Sequence, residues 1–399
     1  MRSRRLAALA LLPLVAGACG STSKPTPRPA VPARGPAGLV RIALADLLWP
    51  LDPLRARDRD EQALARVLFS TPLRTGPAGE LRPGLCSTWA SPDGGRSWRL
   101  RCRHARAIAA ELQRAKLAPA RAPSDRRLVV EPRAPNPRLP YELTEVAAAP
   151  RGVPGPFRVI SASPERVVAE RAGLRLEFRR LQPFTALRLF RRGLLDEAPV
   201  PLGDIRALQR DPRLSSMVHV RELLAADVLV FAENGSLGHL PKLRRVYDDT
   251  ADRADYQALV PEFEAPPAES LDDRSPPSAR QAVLKAREAR HEVGSLPEVA
   301  VRVAVPHDPT LAYGAGLLVA AWRDIGLGPV LGRGADARFE RLRAPYPRLD
   351  TLEGLVRGEQ VVPICWAVDG RLVSRRLHGW SEDELGAVDY TRVRLDSGR

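Results

Sequence analysis

The sequence has little of what metal, nucleotide or acyl-transfer chemistry needs. Its six histidines are scattered without zinc-ligand spacing, and His291-Glu292 has no second histidine four residues after the first. Gly314-Ala315-Gly316 lacks the third glycine of a dinucleotide loop and sits inside a helical pattern, and there is no phosphate loop. Asn234-Gly235-Ser236-Leu237-Gly238 misses the first glycine of a serine-hydrolase elbow. These absences predict no metal, no cofactor and no catalytic residues, so the chain reads as a non-enzyme. A secreted hydrolase with an unrecognised site is the weakest alternative. Lysine is scarce, occurring only at positions 24, 116, 242 and 285, while arginine runs along the whole chain. The net charge of +15 therefore reads as a compositional bias. No motif for reading DNA or RNA accompanies it, so nucleic acid is not an expected partner. An attraction to anionic lipid head groups is compatible with it.

What is present starts at the N-terminus. Met1-Arg2-Ser3-Arg4-Arg5 is basic, Leu6 to Val15 is apolar, and Ala16-Gly17-Ala18 precede Cys19. This is the pattern of a secretory signal, and it is too short for a transmembrane helix of about 20 residues. The small residues before Cys19 resemble a bacterial lipobox, in which the thiol is acylated after cleavage; the alternative is an ordinary signal cut near Ala18. Gly20 to Gly38 holds only Gly, Ser, Thr, Pro, Ala, Val, Lys and Arg, a tether composition without core-forming periodicity. Residues 1–18 are thus expected to be a signal peptide and 19–38 a flexible tether. The protein is expected to be extracytoplasmic and lipid-anchored to the bacterial cell membrane.

With 399 residues and a hydrophobic fraction of 44%, the remainder is large enough for two lobes. Leu39 to Leu44 reads as a first strand, broken by Trp49-Pro50-Leu51-Asp52-Pro53. Glu61 to Phe69 has helical spacing. Leu85 to Ser91 and Arg96 to Cys102 are strands around the turn Pro92-Asp93-Gly94-Gly95. Ile108 to Ala115 reads as a helix and Arg127 to Glu131 as a strand. Gly155 to Phe178 reads as a three-strand meander, Thr185 to Leu195 as a helix, and Val228 to Phe231 as a strand. Pro261 to Pro277 reads as a mobile loop, followed by a helix capped by Ser278. Val299 to Val305, a helix opened by Asp308-Pro309 and closed at Gly326, and Pro329 to Leu331 form a β-α-β unit, which requires parallel pairing.

Four cysteines remain to be placed. Cys19 is the lipidation site. The hairpin register sets Cys86 opposite Cys102, which would allow a disulfide in an exported protein. A register slip of one residue would point the two thiols to opposite faces, so a pair of buried thiols is the alternative. Cys365 lies in the apolar run from Val361 to Trp366 and reads as a buried, inert thiol.

Several segments, taken in order, carry a resemblance. They are Leu51-Asp52-Pro53, Thr71-Pro72-Leu73, Leu81-Arg82-Pro83-Gly84-Leu85, Trp89-Ala90-Ser91-Pro92-Asp93-Gly94 and Trp98-Arg99-Leu100-Arg101. Pro154-Gly155-Pro156-Phe157, Leu187 to Asp196, Arg244 with Asp252-Arg253, and Trp322 to Gly326 continue it. Together they resemble the family 5 extracellular solute-binding proteins, the dipeptide-, oligopeptide- and nickel-binding lipoproteins of ABC transporters. The chain is a short and divergent example: His104-Ala105-Arg106 stands where the family has His-Asp-Gly, and no acidic residue matches the one that meets a bound peptide's amino terminus.

The resemblance implies an α/β, two-lobe type II periplasmic-binding-protein-like fold. Lobe I would take residues 39–235 plus 356–399, and lobe II residues 236–355. It implies a monomer that holds a small solute, peptide favoured, in the interlobe cleft and delivers it to ABC permease subunits. Trp49 and Trp366 are the candidate ligand contacts, each with a core position as the alternative; Trp89 and Trp98 read as hairpin packing. The rival function is a degenerate solute-binding-fold lipoprotein acting as a sensor or envelope interaction protein without transport.

Overall fold

The computed structural model describes residues 38–56, 59–76, 79–232, 241–253, 256, 280–281, 283–285, 287, 301–305, 309–332, 336–343, 360–383 and 385–396. All of them belong to one compact unit, Pro36–Arg399. The expectations for the signal, Cys19 and tether through residue 37, for the 261–277 loop, for the Ser278 and Asp308 caps, and for lobe boundaries at 235/236 and 355/356 lie outside the described residues.

Among the described residues, ten strands make the main sheet. Their order is Val330–Leu331, Arg302–Ala304, Ala337–Arg343, Val218–Phe231, Val361–Val373, Glu197–Pro199, Leu39–Leu44, Leu174–Arg180, Arg166–Arg171 and Arg158–Ser163. Leu39–Leu44 runs parallel to both of its neighbours, Leu174–Arg180 and Glu197–Pro199. Val40, Ile42, Ala43 and Leu44 are fully buried. A strand covered on both faces reads as a near-continuous apolar run, which is why it stands out in the sequence. The meander from Arg158 to Arg180 adds two antiparallel pairings at that end. At the other end Arg302–Ala304 is parallel to Val330–Leu331 and to Ala337–Arg343. The β-α-β unit is therefore present, with helix Pro309–Asp324 as its crossover and Gly326 at φ +89°, the left-handed position that closes the helix.

Val218–Phe231 and Val361–Val373 are the longest strands and pair antiparallel through the middle of the sheet. Their ladder shifts register between Glu222 and Ala226, and again between Asp227 and Val228. Only Val228 to Phe231 is legible as strand in the sequence, because His219, Arg221 and Glu222 break the apolar pattern of the first half. One apolar cluster, with Phe231, Tyr247, Trp322, Phe339 and Ile364, packs at the second end of the sheet. Two others cover the opposite faces at the first end, one with Ala186, Phe190 and Leu372, the other with Ile42, Leu64, Phe178 and Tyr390.

A separate four-stranded antiparallel sheet is built from Cys86–Ala90, Trp98–Cys102, Arg127–Val130 and Ala120–Ser124. Helix Ala105–Arg114 packs on its inner face through Ile108, Ala109 and Leu112. This unit joins the main body beside helix Arg59–Leu68. There Gly155 donates to the Leu68 carbonyl at 2.9 Å and Phe157 to that of Val67 at 3.1 Å. A Cβ on Gly155 would collide with the Leu68 backbone, so the Pro-Gly-Pro-Phe segment needs its glycine for this approach.

Candidate ligand-binding site

In open α/β sheets, ligands bind outside the carboxyl ends of the parallel strands. Here those ends come from both ends of the sheet. Leu39–Leu44 is followed by the segment carrying Trp49, and Glu197–Pro199 by residues 200–204. Arg302–Ala304 is followed by helix Pro309–Asp324, which carries Tyr313. A Cβ placed on Gly203 would lie 4.0 Å from Cε1 of Tyr313. The carboxyl ends of the two parallel sets thus face each other. Trp49 and Tyr313 are 45% and 58% exposed, unusual for rings of this size. Such rings offer rigid apolar area with a polar tip for contact with a solute.

The Trp49 segment is clamped on both sides. Upstream, the Ala45 amide donates to Asp60 at 2.6 Å, and Arg180 pairs with Asp46 at 3.1 Å. Leu47 and Leu48 are buried directly before Trp49. Downstream, Asp52 accepts from the Leu54 amide, capping the Pro53–Arg55 turn, and takes two hydrogen bonds from Arg114, at 2.9 and 3.1 Å. The Arg114 hydrogen bond outweighs partial burial and holds the Asp52 carboxyl below its ordinary pKa. The Leu-Asp-Pro segment therefore ties the loop to the smaller sheet's helix.

Beneath the site lies a buried ion cluster that sequence reasoning missed. Arg371 is fully buried and donates to Asp60 at 2.8 Å and Glu197 at 3.0 Å. Tyr390 and Trp380 also donate to Glu197, each at 3.0 Å, and Arg59 pairs with Asp369. Burial raises the Glu197 pKa. For Asp60, burial opposes ionisation, but Arg371 and Arg59 prevail and the pKa falls. The only sequence signal is Asp369-Gly370-Arg371 inside an otherwise apolar strand. A second cluster lies beyond the register shift. Arg341 donates to Asp227 at 2.7 and 3.0 Å, and Tyr256 donates to it at 2.7 Å. Arg253 donates to the Pro363 carbonyl at 2.9 Å, which gives the Asp252-Arg253 segment a structural task. Between the clusters, Leu223, Ala225 and Ala367 of the two strands form a small apolar cluster of their own.

The two ends of the sheet touch at a further point. Arg343 donates to Gln62 at 3.3 Å. Glu145 feels Arg343 as well as Arg66 and Asp383, and burial pushes its pKa up to about 7. Arg66 and Asp383 pair at 2.7 Å.

The remaining sequence candidates fall as follows. Trp366 is 7% exposed and packs in the cluster of Ala226, Val228, Val368 and Leu372, opposite Ala226 in the ladder. It is not among the exposed rings. Cys86 and Cys102 are bonded across the hairpin and stand opposite each other in register. Cys365 is free and buried, and burial holds its thiol well above the ordinary pKa. Trp89 and Trp98 pack against the smaller sheet's core. Tyr313 had no sequence signal, being one ring in an apolar helix. Among the described residues, no group of three or more His, Cys, Asp or Glu is placed to hold a metal, and no helix is long and apolar enough to cross a membrane.

No family model matches the chain, and no curated protein matches it. Solved structures do. The murein tripeptide binding protein MppA of Escherichia coli superposes with a TM-score of 0.76 at 15% identity, covering 90% of this chain and 98% of that one. Listeria monocytogenes OppA bound to peptide gives 0.76 at 8% identity, covering 91% and 100%. The fold is theirs. It is the mixed α/β fold of the periplasmic solute-binding proteins, as the family resemblance implied. The unliganded open form of MppA also matches, with a lower TM-score of 0.58 at 15% identity, covering 90% and 97%.

Proposed function

We propose that the chain is an extracytoplasmic solute-binding protein that delivers a small solute, peptide favoured, to the permease subunits of an ABC importer. Cys19 would carry its lipid anchor. Lobe I would take residues 39–235 and 356–399, and lobe II residues 236–355, closing over the solute about the paired long strands. The observation that carries this reading is the facing of two sets of parallel-strand carboxyl ends, with Trp49 and Tyr313 exposed there, in a fold shared with peptide-binding proteins. Extended peptides are held by backbone hydrogen bonds, with side-chain pockets giving specificity.

The test is a thermal-shift screen of short peptides, amino acids, sugars and nickel chelates, followed by solution scattering with each hit. At least one solute should raise the melting temperature and reduce the radius of gyration. No stabilising solute and no change in radius would reject capture and favour the sensor or envelope reading. Separately, Cys19→Ser should release the protein from the membrane fraction of its host.

A further inference from the structure

The outer face of the smaller sheet carries arginines directly opposed across strands with no acid beside either of them. Arg101 and Arg127 are directly opposed in the ladder between Trp98–Cys102 and Arg127–Val130. Arg99 stands two residues along on the same face, in line with Val129 and Arg121. All four arginines are exposed. Arg121 has a partner in Glu131, at 3.4 Å, whereas Arg99, Arg101 and Arg127 have no ion-pair partner among the described residues. Arg103 and Arg126, also exposed, extend the charge past one end of the face. Like charges directly opposed across strands are destabilising.

Two other arginine pairs are directly opposed, Arg74 with Arg82 and Arg166 with Arg179, but in each of them one member has an acid: Arg82 pairs with Glu80, and Arg166 with Glu177 at 2.6 Å. In the meander of the main sheet Arg175 is opposed to Glu170, with the side chains 2.8 Å apart. Among the described strands, Arg101 and Arg127 are the one opposed arginine pair with no acid on either member, which a general excess of arginine does not explain. Helix Ala105–Arg114 covers the inner face of the smaller sheet, so the outer face stays open. Between the arginines stand Thr88, Ala90 and Val129. No aromatic ring is on this face to stack nucleic-acid bases.

We propose that the face formed by Arg99, Arg101 and Arg127 docks on a bilayer surface rich in anionic phospholipid. Charge complementarity carries the proposal, and the choice of a bilayer over other polyanions rests on the tethered, extracytoplasmic reading above. An electrostatic contact beside the anchor would fix the orientation of the tethered protein on the head groups.

The test uses residues 36–399, which hold every described element and no acylation site. Co-sedimentation is measured with phosphatidylcholine vesicles, with and without phosphatidylglycerol, at low and high salt. The protein should bind only the anionic vesicles, and release them in salt. Replacing Arg99, Arg101 and Arg127 together by Glu should weaken binding about a hundredfold at low salt. The charge-matched control Arg188→Glu/Arg191→Glu/Arg192→Glu, on and just after helix Pro183–Arg191, should change it less than about fivefold. Should the Glu triple melt early, the Gln triple at the same three positions gives the reading, with a smaller loss. Equal loss in the control, undiminished binding of the Arg99/Arg101/Arg127 triple, or no binding to anionic vesicles overturns the proposal. So does duplex DNA bound as tightly through the same residues. The assay contains neither solute nor acyl chain, so its failure leaves solute capture standing, and failure of the solute screen leaves it untouched.

Discussion

The main sheet and the smaller sheet are held together by opposite means. The smaller one is contiguous in sequence, from Cys86 to Val130, and closes with a hairpin, a disulfide and an apolar core under one helix. The main sheet joins strands from distant parts of the chain: Ile42 stands beside Glu197, and Glu197 beside Val373. At that junction its Arg371 and Glu197 meet Asp60 of helix Arg59–Leu68, all three buried. Local pairing needs little beyond a turn and a staple. Remote pairing between apolar strands has many near-equivalent registers, and a buried charge set that is satisfied in only one of them discriminates among these.

The comparison breaks most visibly at Arg371. Arg371→Met leaves Asp60 and Glu197 buried without their shared partner, and should cost about 3–5 kcal/mol by urea denaturation. A loss under about 1 kcal/mol would mean that the cluster does not hold the main sheet. Next comes the staple. Cys86→Ser/Cys102→Ser should cost about 3 kcal/mol in the chain-entropy model. Hydrogen exchange should rise across residues 86–130 while Leu39–Leu44 stays protected. Exchange rising equally in both sheets would show that they do not differ as described.

Trp49→Ala should weaken solute binding by about 1–3 kcal/mol, measured by titration with a hit from the screen, and leave the melting temperature nearly unchanged. A fallen melting temperature with unchanged affinity would place Trp49 with the core instead. The smallest effect concerns Glu145, where the main body meets Arg343. Its folded-state pKa of about 7 lies above its ordinary 4.5, so the folded state retains a proton that the unfolded chain has lost. Stability should therefore fall as pH rises from 4.5 to about 7 and level off above that, by at most about 3 kcal/mol. Glu145→Gln should flatten this slope in denaturation curves taken across the range.

What the sequence disclosed follows the same division. The hairpin, the meander and the β-α-β unit are local, and their turn residues and apolar periods mark them. The turn left the register of Cys86 and Cys102 open by one residue: Trp89 stands opposite Leu100, and a shift between Cys86 and Thr88 is what brings the two cysteines together. Glu197–Pro199 is too short to show a period, and the first half of Val218–Phe231 is disguised by His219, Arg221 and Glu222, of which His219 and Glu222 are exposed. Trp49 was legible because a strand ends and prolines follow. Tyr313 becomes a candidate only once its helix is brought against Gly203, and no spacing along the chain encodes that proximity.

The strand order also dictates a sequence of events. Val361–Val373 lies at the centre of the main sheet, between Glu197–Pro199 and Val218–Phe231, yet it is nearly the last strand in the chain. A polypeptide emerging N-terminus first can complete Cys86–Val130 while most of its length is still to come. Leu39–Leu44 can find its meander partner early, but the two ends of the main sheet stay unjoined until residue 373 has arrived. Because non-local pairing is slow to form, the half-assembled chain stays loose for most of its emergence.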